Sequence, residues 1–250
     1  MHHKCLLVGL IIAALVGPAA NAAEVSAAVA ANFTKPAEEL AAAFTAKTGD
    51  TVTFSFGATG GLYTQITQGA PFEVFLSADA KRPAEAVKDG FGVPGTVFTY
   101  AVGKLALYSA TVDLTDGAAV LAANAFQHLA IGDPKTAPYG AAALEAIDKL
   151  GLTEVLTPKL VTGQNITQAQ QFVDSGNAEL GFVALSQVID KPAPQVWRVP
   201  AEEYSPILQD AVLLKTGEAN PAAMAFLEFL RSEEGHAIIA KFGYEVVSGN

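Results

Sequence analysis

Phe54-Ser55-Phe56-Gly57-Ala58-Thr59-Gly60-Gly61-Leu62-Tyr63-Thr64-Gln65-Ile66 reads as a strand, a glycine loop and the start of a helix. Val52, Phe54 and Phe56 alternate with Thr51, Thr53 and Ser55, the period of a strand. Gly57, Gly60 and Gly61 permit a sharp turn and close approach of a ligand. Thr59 is placed to cap the helix that follows, where Leu62 and Ile66 share a face. Free N–H groups at a helix start, reinforced by the helix dipole, make an anion site. An ordinary strand–turn–helix connection fits the same residues. The spacing is not G-x-G-x-x-G, and the Gly-Lys-Ser/Thr of a nucleotide P-loop is missing.

The same unit recurs on either side. Glu24 to Ala30 reads as a buried strand, followed by Asn32-Phe33-Thr34-Lys35-Pro36 and a helix over Ala37 to Lys47 that Thr48-Gly49 ends. Asn32 or Thr34 is placed to cap that helix. Phe72 to Asp79 reads as a third strand, with a helix from Pro83 to Lys88. Three such units in sequence imply a mostly parallel sheet with helices on its faces, and ligands bind beyond the carboxyl ends of such strands. Asn32 and Thr59 both fall there.

Tyr100 to Ser109 reads as one long apolar strand leading away from this sheet. Strands at Phe126–Ile131 and Leu180–Leu185 and helices at Ala141–Leu150 and Thr167–Val173 then repeat the architecture. Ala211–Lys215 is a returning strand, and two helices, Pro221–Leu230 and Ser232–Phe242, pack back on the first sheet. The expected organisation is α/β with two lobes, residues 24–103 with 210–250 and residues 104–209. Two strand crossings join them as a hinge that suits a closing ligand cleft.

Composition narrows the function. Of 250 residues, 51% are hydrophobic and 16% charged, enough for filled cores and unlike a disordered chain. Residues 1–23 have the form of a secretory signal peptide: Lys4, the apolar run Cys5 to Val16, then Gly17-Pro18 and a small-residue cleavage site at Ala20-x-Ala22. Cys5, the one cysteine, leaves with it, so disulfide and thiol chemistry are excluded. Loss of Lys4 leaves 14 basic against 25 acidic residues, a net charge of −11, which disfavours nucleic acid and anionic membranes. An exported protein, periplasmic in a bacterium, is expected.

Catalytic and metal constellations are hard to find. His128 and His236 are the histidines left after export, and both read as surface or packing residues. No His-x-x-His, Cys-x-x-Cys or Gly-x-Ser-x-Gly spacing occurs, and Ser55 and Ser77 have no evident histidine partner. What remains are four loops at strand ends, each before a helix, carrying Asn32, Thr59, Tyr139 and Ile166. Four helix N-termini converging from two lobes would hold an anion without a positive side chain. Four capped helices around an empty cleft is the alternative. Lys35 and Lys135 read as solvated or steering charges, Asp79 as a structural cap or hinge contact, and Glu202-Glu203-Tyr204 as an exposed turn in which Tyr204 could form a cleft wall.

Six segments, in order and spacing, resemble the periplasmic molybdate-binding proteins of ATP-driven importers. They are Ala30-Ala31-Asn32-Phe33, Phe56 to Leu62, Gly69-Ala70-Pro71, Phe75 to Asp79, Gly132-Asp133-Pro134 with Ala137-Pro138-Tyr139-Gly140, and Leu180 to Ala184. The resemblance covers essentially the whole chain after the signal peptide. It implies a two-lobed type II periplasmic binding fold that holds molybdate, and usually tungstate, between the lobes, with an inner-membrane permease as partner. It implies no enzyme activity and no cofactor; molybdenum would enter only as the transported oxyanion, and a monomer is expected. Asn32 would donate from its amide or backbone, Thr59 from hydroxyl and N–H, Tyr139 from N–H and hydroxyl, and Ile166 from its N–H. Ala31 and Ala58 would add backbone N–H groups. Ala184 departs from the pattern, since many members carry a ligand tyrosine there, and Tyr139 would supply the missing hydroxyl. Sulfate, phosphate or vanadate is the alternative cargo, and an exported hydrolase the contrasting class.

Overall fold

The computed structural model describes residues 22–247, so all but the end of the expected signal peptide lies outside the described residues. The chain runs β1 (Glu24–Ala30), α1 (Thr34–Thr48), β2 (Thr51–Gly57), α2 (Thr59–Thr67), β3 (Val74–Leu76), α3 (Lys81–Lys88) and β4 (Phe98–Gly103). It then enters a second lobe with β5 (Leu105–Tyr108), α4 (Gly117–Ala123), β6 (Leu129–Gly132), α5 (Pro138–Lys149) and α6 (Thr153–Leu156). β7 (Leu160–Gly163), α7 (Ile166–Asp174), β8 (Leu180–Ala184), α8 (Leu185–Val188) and β9 (Val196–Arg198) complete that lobe. β10 (Ile207–Leu213), α9 (Pro221–Leu230) and α10 (Glu233–Lys241) return to the first.

Each lobe holds a five-stranded sheet, ordered β2-β1-β3-β10-β4 and β7-β6-β8-β5-β9. Pairing is parallel except where β10 meets β3 and β4 and where β5 meets β8 and β9. The sheets are therefore mixed, with one reversed strand apiece beside the crossings. In the first lobe, Val25, Ala27 and Val29 of β1 pack with Leu40, Phe44 and Phe226 on one face. Ala28 packs with Leu62, Ile66 and Phe75 on the other. Burial of both faces explains why β1 lacks polar alternation. β2 does alternate because it is the edge strand, and Phe56 is correspondingly exposed.

The long strand expected over Tyr100–Ser109 is two strands in two different sheets, divided at Lys104. An apolar run cannot by itself reveal that its halves pair with different neighbours. The return is also earlier than expected: Ile207, Leu208 and Gln209, expected in the second lobe, pair with Gly103, Val102 and Ala101 of the first sheet. Gln209 and Asp210 interrupt the apolar pattern there, and the register shifts between them in a β-bulge. Tyr204, expected in an exposed turn, is buried beside the crossing, where its hydroxyl accepts from the Leu105 N–H at 3.1 Å.

Candidate functional site

Three helix starts away from the cleft are capped by side chains. Asp116 accepts from Ala119 N at 3.0 Å, Asn220 from Ala222 N at 3.1 Å and Ser232 from Gly235 N at 3.1 Å. Such caps stabilise a helix by about 1 kcal/mol. Two helix starts at the cleft lack such a cap. α2 begins after Ala58 and α5 after Ala137, and neither residue has a side chain that could cap. Thr59, expected as the cap of α2, is instead its first helical residue. Neither Asn32 nor Thr34 caps α1: β1 passes through a 3-10 turn at Ala31–Phe33 directly into the helix. At α7, Asn165 does cap, accepting from Gln168 N at 3.0 Å, and leaves the Ile166 N–H untouched.

Ala31, Asn32, Ala58, Thr59, Tyr139 and Ile166 line one cavity between the lobes. Among the described residues no carbonyl or side chain accepts from the N–H of Asn32, Thr59, Tyr139 or Ile166. These are the orphan donors of a first helical turn. The Ala31–Asn32 peptide is held from its carbonyl side, where Ala31 O accepts from Thr34 Oγ1 at 2.9 Å and, across the cleft, from Thr167 Oγ1 at 3.3 Å. The Thr59 hydroxyl accepts from Ala78 N at 3.0 Å, which leaves its own hydrogen to give. Twelve residues line the cavity and none is charged. Its empty space is at most about 200 Å³, below the roughly 300–1,000 Å³ of pockets for ordinary small molecules. Such a cage offers donors to a small, acceptor-only guest and excludes a sugar or a peptide.

The side chains of Asn32 and Tyr139 turn out to be engaged elsewhere. Asn32 Nδ2 donates to Gln209 Oε1 and to the Tyr244 hydroxyl, both at 2.9 Å, which uses both amide hydrogens. The Tyr139 hydroxyl accepts from Gln209 Nε2 at 3.0 Å. Ser186 and Tyr244 each donate to Asn32 O at 2.9 Å, and Tyr100 reaches Gln209 Oε1 at 3.1 Å. Of the two donors expected at Asn32 the amide is thus occupied and the backbone N–H is left for the cavity; at Tyr139 the hydroxyl is engaged as an acceptor from Gln209, and its N–H is left for the cavity. Burial holds the Tyr100 and Tyr139 phenols well above their ordinary range and pushes Tyr244 up to about 12, so all three are neutral. Gln209, Tyr244 and Ser186 escaped the sequence reading. The available signal was a glutamine inside the apolar run Ile207–Leu213.

The remaining candidates fall outside the cage. A Cβ on Gly60 would lie 3.1 Å from Thr136 Cα of the opposite lobe, while one on Gly61 would meet nothing within 4 Å. The glycine clearance at this loop therefore serves lobe contact, through Gly60, whose N–H donates to Thr136 O at 2.9 Å. Asp79, one residue before the N-cap of α3, accepts from Arg82 N at 2.8 Å and ion-pairs with the Arg82 guanidinium. Lys135 is exposed, and Lys35 bonds Asp190 of the other lobe at 2.9 Å. Ala184 is buried in the second core, away from the cavity lining. His128 sits beside Glu179 at 3.7 Å, and His236 lines a separate depression with Arg231.

Two α/β lobes meeting over a small uncharged cage of helix N-termini define a two-lobed solute receptor. The chain belongs to the bacterial extracellular solute-binding proteins, whose family model matches residues 25–245. It is similar to the molybdate-binding protein ModA of Rhodobacter capsulatus, 59% identical over 90% of this chain and 89% of that one. It is also similar to ModA of Azotobacter vinelandii, at 53% identity over 93% and 94% of the two chains. Among solved structures, the periplasmic molybdate-binding protein of Azotobacter vinelandii matches with a TM-score of 0.85 and 40% identity, covering 89% of this chain and 99% of that one.

Proposed function

We propose that this protein captures molybdate, and tungstate with it, in the periplasm and delivers it as a monomer to the permease of an ATP-driven importer. The observation that carries this reading is the cage itself: N-termini from both lobes, free N–H groups, small volume and no charged wall. The N–H groups of Asn32, Thr59, Tyr139 and Ile166 and the Thr59 hydroxyl hold the oxyanion, with Ala31 and Ala58 adding backbone donors. Helix dipoles balance the dianion without a counter-charge. Fixed donors serve acceptor oxygens alone, so a fully deprotonated tetrahedral ion fits and a protonated one must aim a hydroxyl at a donor. Because the ion touches both lobes, it favours the closed arrangement. The similarity to proteins named for molybdate selects the ion within the tetrahedral class.

Calorimetry with molybdate, tungstate, sulfate and phosphate tests the reading. Molybdate and tungstate should bind far more tightly than the other two and raise the unfolding temperature with the logarithm of their excess. Sulfate binding as tight as molybdate would overturn the assignment.

A further inference from the structure

Gln209 is fully buried, and its carboxamide lies between the ion loops of the two lobes. On one side it accepts from Asn32 Nδ2 at 2.9 Å; on the other it donates to the Tyr139 hydroxyl at 3.0 Å. Asn32 and Tyr139 are both cavity residues, one from each lobe. Two features of the backbone serve this contact. A β-bulge between Gln209 and Asp210 breaks the β10–β4 register at this residue, the device by which strands re-aim a side chain. Gly103 lies where β4 leaves the first lobe, and a Cβ there would sit 2.1 Å from the Tyr139 hydroxyl and 2.6 Å from Gln209 Nε2. The absence of a side chain at 103 is what lets the amide and the phenol meet across the hinge strand.

We infer that Gln209 is a positioning residue for oxyanion capture: its carboxamide ties the Asn32 and Tyr139 N-termini into one geometry and so couples ion binding to lobe closure. The task needs an acceptor and a donor on one neutral side chain. Among buried groups of this length an amide supplies both, whereas an ionised carboxylate only accepts. Tyr139 receives from Gln209, while the second Asn32 amide hydrogen goes to the Tyr244 hydroxyl, which donates to Asn32 O. The circuit thus returns to the residue whose N–H faces the guest. This inference rests on the oxyanion reading above.

The test is Gln209→Glu with Gln209→Leu as companion, both compared with wild type by molybdate calorimetry between about pH 5.5 and pH 8.5. Solution scattering with and without molybdate reports closure, and thermal unfolding reports the fold. The introduced carboxyl, when protonated, keeps one acceptor and one donor; when ionised it loses the donor and places a charge under the dianion. Burial raises its pKa. Gln209→Glu should therefore bind at least about tenfold more weakly than wild type at the alkaline end and recover as pH falls, a loss equivalent to roughly 1.4 kcal/mol. Gln209→Leu should be weaker at every pH, with its ratio to wild type flat, and should close less fully. The groups facing this position are Asn32 and the neutral Tyr100, Tyr139 and Tyr244. The carboxylates that act on this cluster through Tyr100 are Asp210, bonded to Thr99, and Asp79, paired with Arg82; all of these are common to the three proteins. Taking ratios to wild type also cancels titration of the ion. Wild-type-like affinity and closure in both variants, or a Gln209→Glu loss without pH recovery, would overturn the inference. Failure of wild type to bind molybdate would instead overturn the oxyanion reading; in that case Gln209 is judged by ligand-free scattering, where unchanged lobe separation in both variants refutes it.

Discussion

At the wall of the cleft, the N–H groups of Asn32, Thr59, Tyr139 and Ile166 find no acceptor among the described residues. In the layer beneath, the side chains of Asn32, Gln209, Tyr139, Tyr244, Ser186 and Tyr100 bond to one another and to the backbone. Both layers are neutral, and both draw on Asn32 and Tyr139, which lend their backbone to one and their side chains to the other. The lower layer is complete without a guest. The upper layer is complete only when something brings acceptors, because an unpaired buried donor costs about 1–3 kcal/mol. Alanines at the cap positions of α2 and α5 offer no side chain to compete for the first-turn N–H groups, and the Asn165 cap of α7 takes the Gln168 N–H and not that of Ile166. On this view affinity comes mainly from backbone donors, and the side-chain circuit sets how the two halves of the cage meet.

The strongest way to break that division is to separate the layers. Gly103→Val would drive a branched side chain into the space of the Tyr139 hydroxyl and Gln209 Nε2, both under 3 Å from the position of its Cβ. Neither group can withdraw without giving up its partner. Overpacking of this kind costs about 3 kcal/mol. Since every 1.4 kcal/mol or so is tenfold, molybdate affinity should fall on the order of 100-fold or more. Calorimetry measures it, with thermal unfolding to show that the lobes still fold. Affinity near wild type would mean that the circuit has no influence on the cage.

Thr59→Ala attacks the cage alone. Thr59 supplies the side-chain hydroxyl that, after accepting from Ala78 N, still has a hydrogen to donate. Its loss should weaken molybdate by roughly 1–3 kcal/mol, while scattering shows normal closure. Thr59→Ser keeps the hydroxyl and should restore most of the affinity. An equal deficit in both variants would point to the lost methyl.

How much of this was legible in the sequence follows the same division. Backbone sites announce themselves locally. A strand end, a short loop and a helix start identify Asn32, Thr59, Tyr139 and Ile166 as first-turn positions, because orphan N–H groups are a property of any helix beginning. The circuit is nonlocal: Asn32 meets Gln209 and Tyr244 over 177 and 212 residues of chain. Nothing about Asn32 in its own loop says that its amide is occupied, so amide and backbone stood as alternative donors there. The two-lobed architecture was legible because each β–loop–α unit carries its own periodicity. The crossings were not, because Tyr100–Ser109 is uniformly apolar across a boundary set by strand pairing.

Tyr139→Phe sharpens the comparison by taking a hydroxyl from the circuit and nothing from the cage. If the hydroxyl touched the ion, its loss would resemble that of Thr59. Bonded as it is to Gln209, its removal leaves Gln209 Nε2 without this acceptor, a cost of about 1 kcal/mol. Affinity should fall by about fivefold, with a measurable opening of the lobes in scattering. A loss beyond that of Thr59→Ala, with closure intact, would return the hydroxyl to the cage.

The smallest effect should come from the contact that looks most like a latch. Lys35 and Asp190 join the lobes at 2.9 Å, yet their side chains are 49% and 70% exposed. Water screens both charges, and holding two long side chains in register costs entropy, so such a pair contributes about 0.2–1 kcal/mol at low salt. Lys35→Ala should therefore reduce molybdate affinity by no more than a few-fold at about 10 mM salt, and the deficit should vanish near 1 M, where the Debye length is roughly 3 Å. Gly103→Val and Tyr139→Phe, acting on neutral buried groups, should keep their deficits across the same range. If the Lys35→Ala deficit persists at high salt while that of Tyr139→Phe disappears, closure is governed by the charged rim and not by the neutral layer under the ion.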